Sequence, residues 1–258
     1  MSRAEAAAAL LADLRLRENG VAPPLDDLPA AIRPQSVAEA YAAQDLLRAR
    51  LAPRLGAPFG WKIGCTSKVM QDYLGVDHPC LGTLFTGQIR RGGATLRAAD
   101  YRRLGLECEL AVRLGADLAP GGNAAGAVAA VMCSVEIVEE RFADFRACAT
   151  ETLIADDFFS MGCVLGAEAA PAALGDLRAL EGRFAVNGEA GPLGRGEAIL
   201  GDPLAALAWA AEARAGAGGL KAGAVITLGS VVRTIYPAAG DRIRAEFAGL
   251  APVGIEVV

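Results

Sequence analysis

Leu106-Glu-Cys-Glu-Leu110 and Ser134-Val-Glu-Ile-Val138 are the two stretches from which the chain is best read. On an extended strand, residues two apart share a face, so Glu107 and Glu109 point one way while Leu106, Cys108, Leu110 and Val112 point the other. Two carboxylates so close repel each other, and an apolar segment holds them at a cost unless a cation neutralises them. An all-oxygen set of this kind suits Mg2+ or Mn2+. A Glu-x-Glu alone is more often a solvated strand face. Glu136 shifts the balance, because it interrupts Val131-Met-Cys-Ser-Val-Glu-Ile-Val138, a run that otherwise reads as a buried strand. A carboxylate there needs a partner, either a divalent metal or an arginine.

The 258 residues suffice for one large or two modest domains. A net charge of -5 gives no electrostatic footprint for nucleic acid. Glu5, Asp13 and Arg15 interrupt the Ala4 to Leu16 stretch, which therefore reads as an ordinary helix rather than a signal peptide. No run approaches the ~18 apolar residues of a membrane span. Cysteines 65, 80, 108, 133, 148 and 163 form no C-x-x-C pair, so reduced, buried thiols in a cytoplasmic protein are expected.

Up to about residue 55 the pattern is helical, with Ser36-Val-Ala-Glu39 as a capping box opening a helix through about Leu51. Beyond Phe59 strand signals dominate. Thr66 is expected to cap a short helix from Ser67 to Leu74, ended by Gly75, and 123–130 reads as a helix leading into the Glu136 strand. Asn187-Gly188 marks a hairpin, and Asp202-Pro203 starts a helix that ends near Gly216. The expected layout is an N-terminal helical extension, 1–55, followed by an α+β body, 56–258, of mixed or antiparallel sheet.

Several further residues have chemical potential. Lys62, in Trp61-Lys-Ile-Gly-Cys-Thr66, sits between an aromatic and an apolar residue. It could steer a carboxylate, or transfer a proton if its pKa is lowered, or form an ordinary ion pair. His78 stands alone in a turn-like context and is left out of the site. Asp156-Asp157-Phe158-Phe159-Ser160 is either a pocket wall or a helix start. Ser230 and Arg233 follow an apolar strand, 224–228, where a turn could present them to an anion. Gly194-Arg-Gly196 lacks the setting of a dinucleotide fingerprint.

Gly60-Trp-Lys-Ile-Gly-Cys-Thr-Ser67, Leu74-Gly-Val-Asp-His-Pro79, Leu106-Glu-Cys-Glu-Leu110, Val135-Glu-Ile-Val138, the stretch from Leu200 to Trp209 and Ala239-Gly-Asp241 occur in this order. In that order they resemble the 2-keto-4-pentenoate hydratase and 4-oxalocrotonate decarboxylase branch of the fumarylacetoacetate hydrolase superfamily, over nearly the whole chain. The resemblance implies a mixed, rolled β-sandwich with an N-terminal helical extension, a Mg2+ or Mn2+ cofactor and a homo-oligomer. It implies metal carboxylates at Glu107, Glu109 and Glu136 and an active-site lysine at Lys62. The expected substrate-binding set is Asp77, Asp156, Phe158, Phe159, Ser230 and Arg233. The chain departs from the branch at Pro79-Cys-Leu-Gly82, at Asp156-Asp-Phe-Phe159, where Asp-Asn-Ala-Ser is common, and at Ser230-Val-Val232.

The leading expectation is a divalent-metal-dependent lyase that adds water to a short 2-hydroxy-dienoate or 2-oxo-enoate acid, giving a 4-hydroxy-2-oxo acid. A decarboxylase of a related 2-oxo dicarboxylic acid uses the same electron sink. A non-catalytic metal or 2-oxo-acid binding protein is the rival from another class. A carbon–carbon hydrolase fits less well, because that branch typically uses a His–Glu pair and His78 is the chain's one histidine. Two phenylalanines at the substrate end predict a 2-oxo acid with a short or apolar tail.

Overall fold

A computed structural model describes residues 1–17 and 21–258. In chain order, the first half runs α1 (Arg3–Arg15), α2 (Val37–Leu55), β1 (Pro58–Gly64), α3 (Lys68–Leu74), β2 (Cys80–Phe85), β3 (Ile89–Arg91), β4 (Gly93–Leu96) and β5 (Leu104–Leu114). Then come α4 (Ala124–Ala127), β6 (Val128–Glu139), α5 (Thr150–Ala155), β7 (Ser160–Leu165), β8 (Glu181–Val186), β9 (Glu189–Ala190) and β10 (Gly194–Arg195). The last elements are α6 (Pro203–Ala213), β11 (Val225–Ser230), β12 (Arg242–Phe247) and β13 (Val253–Val257).

Local chemistry explains most element ends. Ser2 caps α1 in a full capping box with Glu5. Ser36 caps α2 through the Glu39 amide, but the Glu39 carboxylate bonds Gln35 N instead of closing the box. That helix also runs past the expected end, through Pro53 to Leu55. Ser67, not Thr66, caps α3, which Gly75 ends in the left-handed conformation. The helix expected over 123–130 is a single turn, because Val128 onward already pairs with β5. β-branched Val128 and Val131 and the long partner strand favour extension over a fifth and sixth helical residue. Asn187-Gly188 makes the β8–β9 hairpin, and Asp202 with Pro203 opens α6.

Two mixed sheets result. The first has seven strands in the order β2-β1-β11-β5-β6-β7-β3, and the second has β10-β8-β12-β13-β4 with β9 beside β8. Leu106, Cys108, Leu110, Val112 and Leu114 of β5 share one hydrophobic core with Ile243, Ala245, Phe247, Val253, Ile255 and Val257 of the second sheet. Each such leucine, valine or isoleucine contributes roughly 1.5–3 kcal/mol by leaving water. The core thereby pins the register of β5, and a slip of one residue would turn Glu107 and Glu109 into it. Beside the edge strand β2, α1 and α2 pack through Ala7, Ala8, Leu11, Ala43, Leu47 and Leu51, with Phe85 and Ala155 in the same cluster. No described helix is long and apolar enough to cross a membrane.

Candidate metal centre

The long β5–β6 ladder puts Glu107 directly opposite Glu136 and Glu109 opposite Ser134. Like charges facing each other across a strand pair are destabilising, which makes this register informative. One carboxylate oxygen from each of Glu107, Glu109 and Glu136 lies within 4.8 Å of the others. Glu109 and Glu136 are buried and Glu107 is half-buried. Among the described residues no arginine neutralises Glu136; its partner is Lys62 of β1, whose Nζ lies 3.0 Å from Glu136 Oε1 with both side chains almost fully buried.

A single segment supplies one hydrogen bond to each carboxylate. Thr227 Oγ1 donates to Glu136 Oε2 at 3.1 Å, Gly229 N to Glu109 Oε2 at 3.0 Å and Thr234 Oγ1 to Glu107 Oε1 at 2.6 Å. Gly229 has φ +121°, and a Cβ there would sit 2.1 Å from Thr66 Oγ1, so only glycine brings this amide in. The sequence reading passed over Thr227 and Thr234. Thr227 is a polar residue inside the apolar run 224–228, the same kind of interruption that singled out Glu136.

The charge balance fits a cation. Glu109 Oε1 is buried and accepts no hydrogen bond from the described residues. Burial, then Glu136 and Glu107, push the Glu109 carboxyl well above the ordinary carboxylate range. Burial raises Glu136, Lys62 pulls it back and Glu107 raises it again, leaving it at about 7. Burial works against the Lys62 charge, but Glu136 and Glu107 outweigh it and hold the ammonium above its usual pKa. The lysine is therefore a cation rather than the depressed base considered from the sequence. Three converging carboxylates with two buried oxygens that accept no hydrogen bond from the described residues, Glu109 Oε1 and the Glu136 Oε1 that Lys62 approaches, are what a divalent ion requires, and this all-oxygen set suits a hard cation.

A pH prediction follows for the metal-free protein. A carboxyl held at about 7 in the fold but near its ordinary ~4.5 when unfolded keeps a proton in the native state that the unfolded chain has lost. Stability present below pH ~4.5 from this group is thus lost as pH rises through 7. Carboxylates with lowered values, such as Asp117 and Asp241, titrate below that window and do not offset it. Thermal melts in chelator should fall by several degrees from pH 5 to 8, and saturating Mn2+ should abolish the fall. A melting temperature that rises across this window in chelator would contradict the assignment.

The other candidate residues are spread around this centre. Phe158 is buried with its ring 4.9 Å from Lys62 Nζ, and its centroid lies 5.3 Å from that of Phe159. Asp156 is committed to Arg141, whose Nε lies 2.6 Å from Asp156 Oδ2. The Ser230 hydroxyl lies 2.8 Å from Val232 O and 3.2 Å from Cys108 O, so its proton serves the backbone. Asp77 and Arg233 are exposed.

The chain as a whole has relatives among known proteins. The fumarylacetoacetate (FAA) hydrolase C-terminal family matches residues 77–258, and the chain belongs to that family. It is 34% identical over 257 residues to 2-keto-4-pentenoate hydratase 1 of Dechloromonas aromatica, covering 96% of this chain and 95% of that one. It is 31% identical over 226 residues to the 4-oxalocrotonate decarboxylase of Pseudomonas putida, covering 86% and 85%. Among solved structures it superposes on the 4-oxalocrotonate decarboxylase of Pseudomonas putida G7, complexed with magnesium and adipate. The TM-score there is 0.89 at 26% identity, with 99% of this chain and 97% of that chain covered.

Proposed function

We propose that this protein is a divalent-metal-dependent lyase that hydrates a short 2-hydroxy-dienoate or 2-oxo-enoate acid to a 4-hydroxy-2-oxo acid. The observation that carries the reading is the approach of Glu107, Glu109 and Glu136 to within 4.8 Å in a chain similar to named hydratases over almost its full length. Those three residues would hold Mg2+ or Mn2+. A bound ion supplies Lewis acidity to the carboxylate and 2-oxygen of the substrate, where negative charge builds as protons move along the conjugated chain. Lys62, kept protonated beside Glu136, would hold the substrate carboxylate or deliver a proton from Nζ. Thr227, Thr234 and the Gly229 amide fix the three carboxylates, so little reorganisation is left for the reaction itself. Phe158 and Phe159 would keep bulk water from the flank beside Lys62.

The reading extends to the rest of the molecule. We read the two sheets, which share one core, as the rolled sandwich implied by the resemblance, and 1–55 as its helical extension. Six free cysteines, five of them buried, support a cytoplasmic setting. The resemblance also implies a homo-oligomer. Decarboxylation of a 2-oxo dicarboxylic acid is the second reading, favoured by similarity to 4-oxalocrotonate decarboxylase in both sequence and structure.

Ultraviolet absorbance of 2-hydroxypenta-2,4-dienoate with Mg2+ or Mn2+, and again after chelation, separates the readings. Metal-dependent loss of the diene with hydroxy-acid product is the expected result. Release of CO2 from a dicarboxylic analogue, without diene hydration, would replace the first reading by the second. Tight binding of both without turnover would make the protein a binding module.

A further inference from the structure

Asp157, Phe158 and Phe159 have φ of 64°, 46° and 64°, three consecutive left-handed residues without a glycine. Residues with side chains avoid this region, bulky aromatics above all, and a run of three persists only where surrounding contacts impose it. Those contacts come from α1, from β2 and from Arg141. Arg15 Nη2 donates to Ser160 O at 3.0 Å, and Arg15 Nη1 lies 3.6 Å from Asp157 Oδ2, with both side chains almost fully buried. Asp157 Oδ1 also accepts from Thr83 N at 2.7 Å. Arg141 holds the other end of the turn, through Asp156 O at 2.9 Å and Asp156 Oδ2 at 2.6 Å.

The clamped turn carries the Phe158 ring to the side of Lys62. A Cβ on Gly64 would meet that ring at 2.6 Å, so the missing side chain is the seat in which the ring lies. From there the ring faces Lys62 Nζ at 4.9 Å, while Glu136 Oε1 lies 3.0 Å from the same nitrogen. Behind it, the Phe159 ring packs edge to face on Phe142 and Phe145, with centroids 6.0 and 5.5 Å away. The neighbouring cations Lys62, Arg141 and Arg15 are paired with Glu136, Asp156 and Asp157, and the surface beside Lys62 on this side is the Phe158 ring.

We propose that the Asp157–Phe159 turn is a specificity element set from the N-terminal helix: Arg15, acting as a positioning residue through Asp157, holds Phe158 over Lys62 and closes that flank to a second ligand carboxylate. The proposal rests on the 2-oxo-acid reading above. A ligand with an apolar distal end packs against the phenylalanines, whereas a distal carboxylate is left buried and unpaired. Removing the ring, or releasing the turn that carries it, uncovers the Lys62 ammonium and admits water, and the discrimination disappears.

Calorimetric titration of the Mn2+-loaded protein with oxalate, 2-oxohexanoate and 2-oxoadipate tests this, since the last two share a chain length and differ in the terminal carboxylate. In the wild type, 2-oxohexanoate should bind roughly 30-fold or more tighter than 2-oxoadipate. In Phe158→Ala and in Asp157→Asn the ratio should fall below about threefold, with oxalate affinity held within about twofold in Asp157→Asn. Asparagine keeps an acceptor for Thr83 N and tolerates the left-handed conformation, so only the ion pair to Arg15 is lost. Should Asp157→Asn not fold, Arg15→Gln makes the same comparison from the other side. Oxalate binding with equal affinities for the two six-carbon acids, or a wild-type ratio retained in a folded clamp variant, overturns this proposal and leaves the 2-oxo-acid reading standing. Failure of oxalate to bind the loaded wild type overturns that reading, and this proposal with it.

Discussion

Glu109→Gln is expected to lower metal-dependent turnover by at least ~10³-fold while raising the melting temperature of the metal-free protein. Glu109 faces the repulsion of Glu136 and Glu107 in a site that holds its carboxyl well above the ordinary range. A neutral amide removes that repulsion and still offers an oxygen to the Gly229 amide, which now bonds Glu109 Oε2 at 3.0 Å. Metal affinity should fall with turnover, because one of three anionic ligands is gone. Glu136→Gln should lose turnover equally but melt lower, since Lys62 would then be a buried cation without its partner at 3.0 Å. Opposite stability shifts with the same loss of activity, measured by thermal melts in chelator and by ultraviolet assay, distinguish a metal cluster from a structural charge network. Equal destabilisation by both variants, with activity retained, would sink the assignment.

Lys62→Met separates the two halves of the machinery. Its Nζ is a protonated donor beside Glu136, held in that state by the acidic triad. Methionine fills comparable volume without the charge, so turnover should drop by about 10²–10⁴-fold, the usual range for a positioned proton donor or carboxylate anchor. Divalent-ion affinity should be retained or increased, because a neighbouring positive charge has been removed. Calorimetric titration of Mn2+ into the variant measures this directly. Concurrent loss of metal affinity and turnover would mean that the lysine builds the site rather than working in it.

The sequence carried the strands of the metal centre because their signal is local. Alternation along β5 and one charge within an apolar β6 identify both the elements and the face, and the shared core with the second sheet then fixes the register. It did not carry the partner of Glu136, since β1 reaches β5 only across β11 and nothing local relates Lys62 to Glu136. The lysine's direction of shift was equally hidden, because burial lowers and the triad raises, and only geometry says which is larger. Thr227 and Thr234 went unread for the same reason, as a threonine in a strand is ordinary until its partner is known. The Asp156-Asp-Phe-Phe159 segment left pocket wall and helix start unresolved. It proves to be a left-handed turn held by Arg15, whose hold on Ser160 spans 145 positions of chain. The single-turn α4 shows the converse, a local helix signal overridden by the pull of long-range strand pairing.

The measurement that bears most directly on the account is anomalous diffraction from crystals of the protein soaked in Mn2+ with oxalate. The account predicts one manganese peak bonded to oxygens of Glu107, Glu109 and Glu136 at about 2.0–2.2 Å, with oxalate completing the shell on the side of Lys62. A peak elsewhere, or three carboxylates left without manganese while Glu136 stays paired only with Lys62, would contradict it.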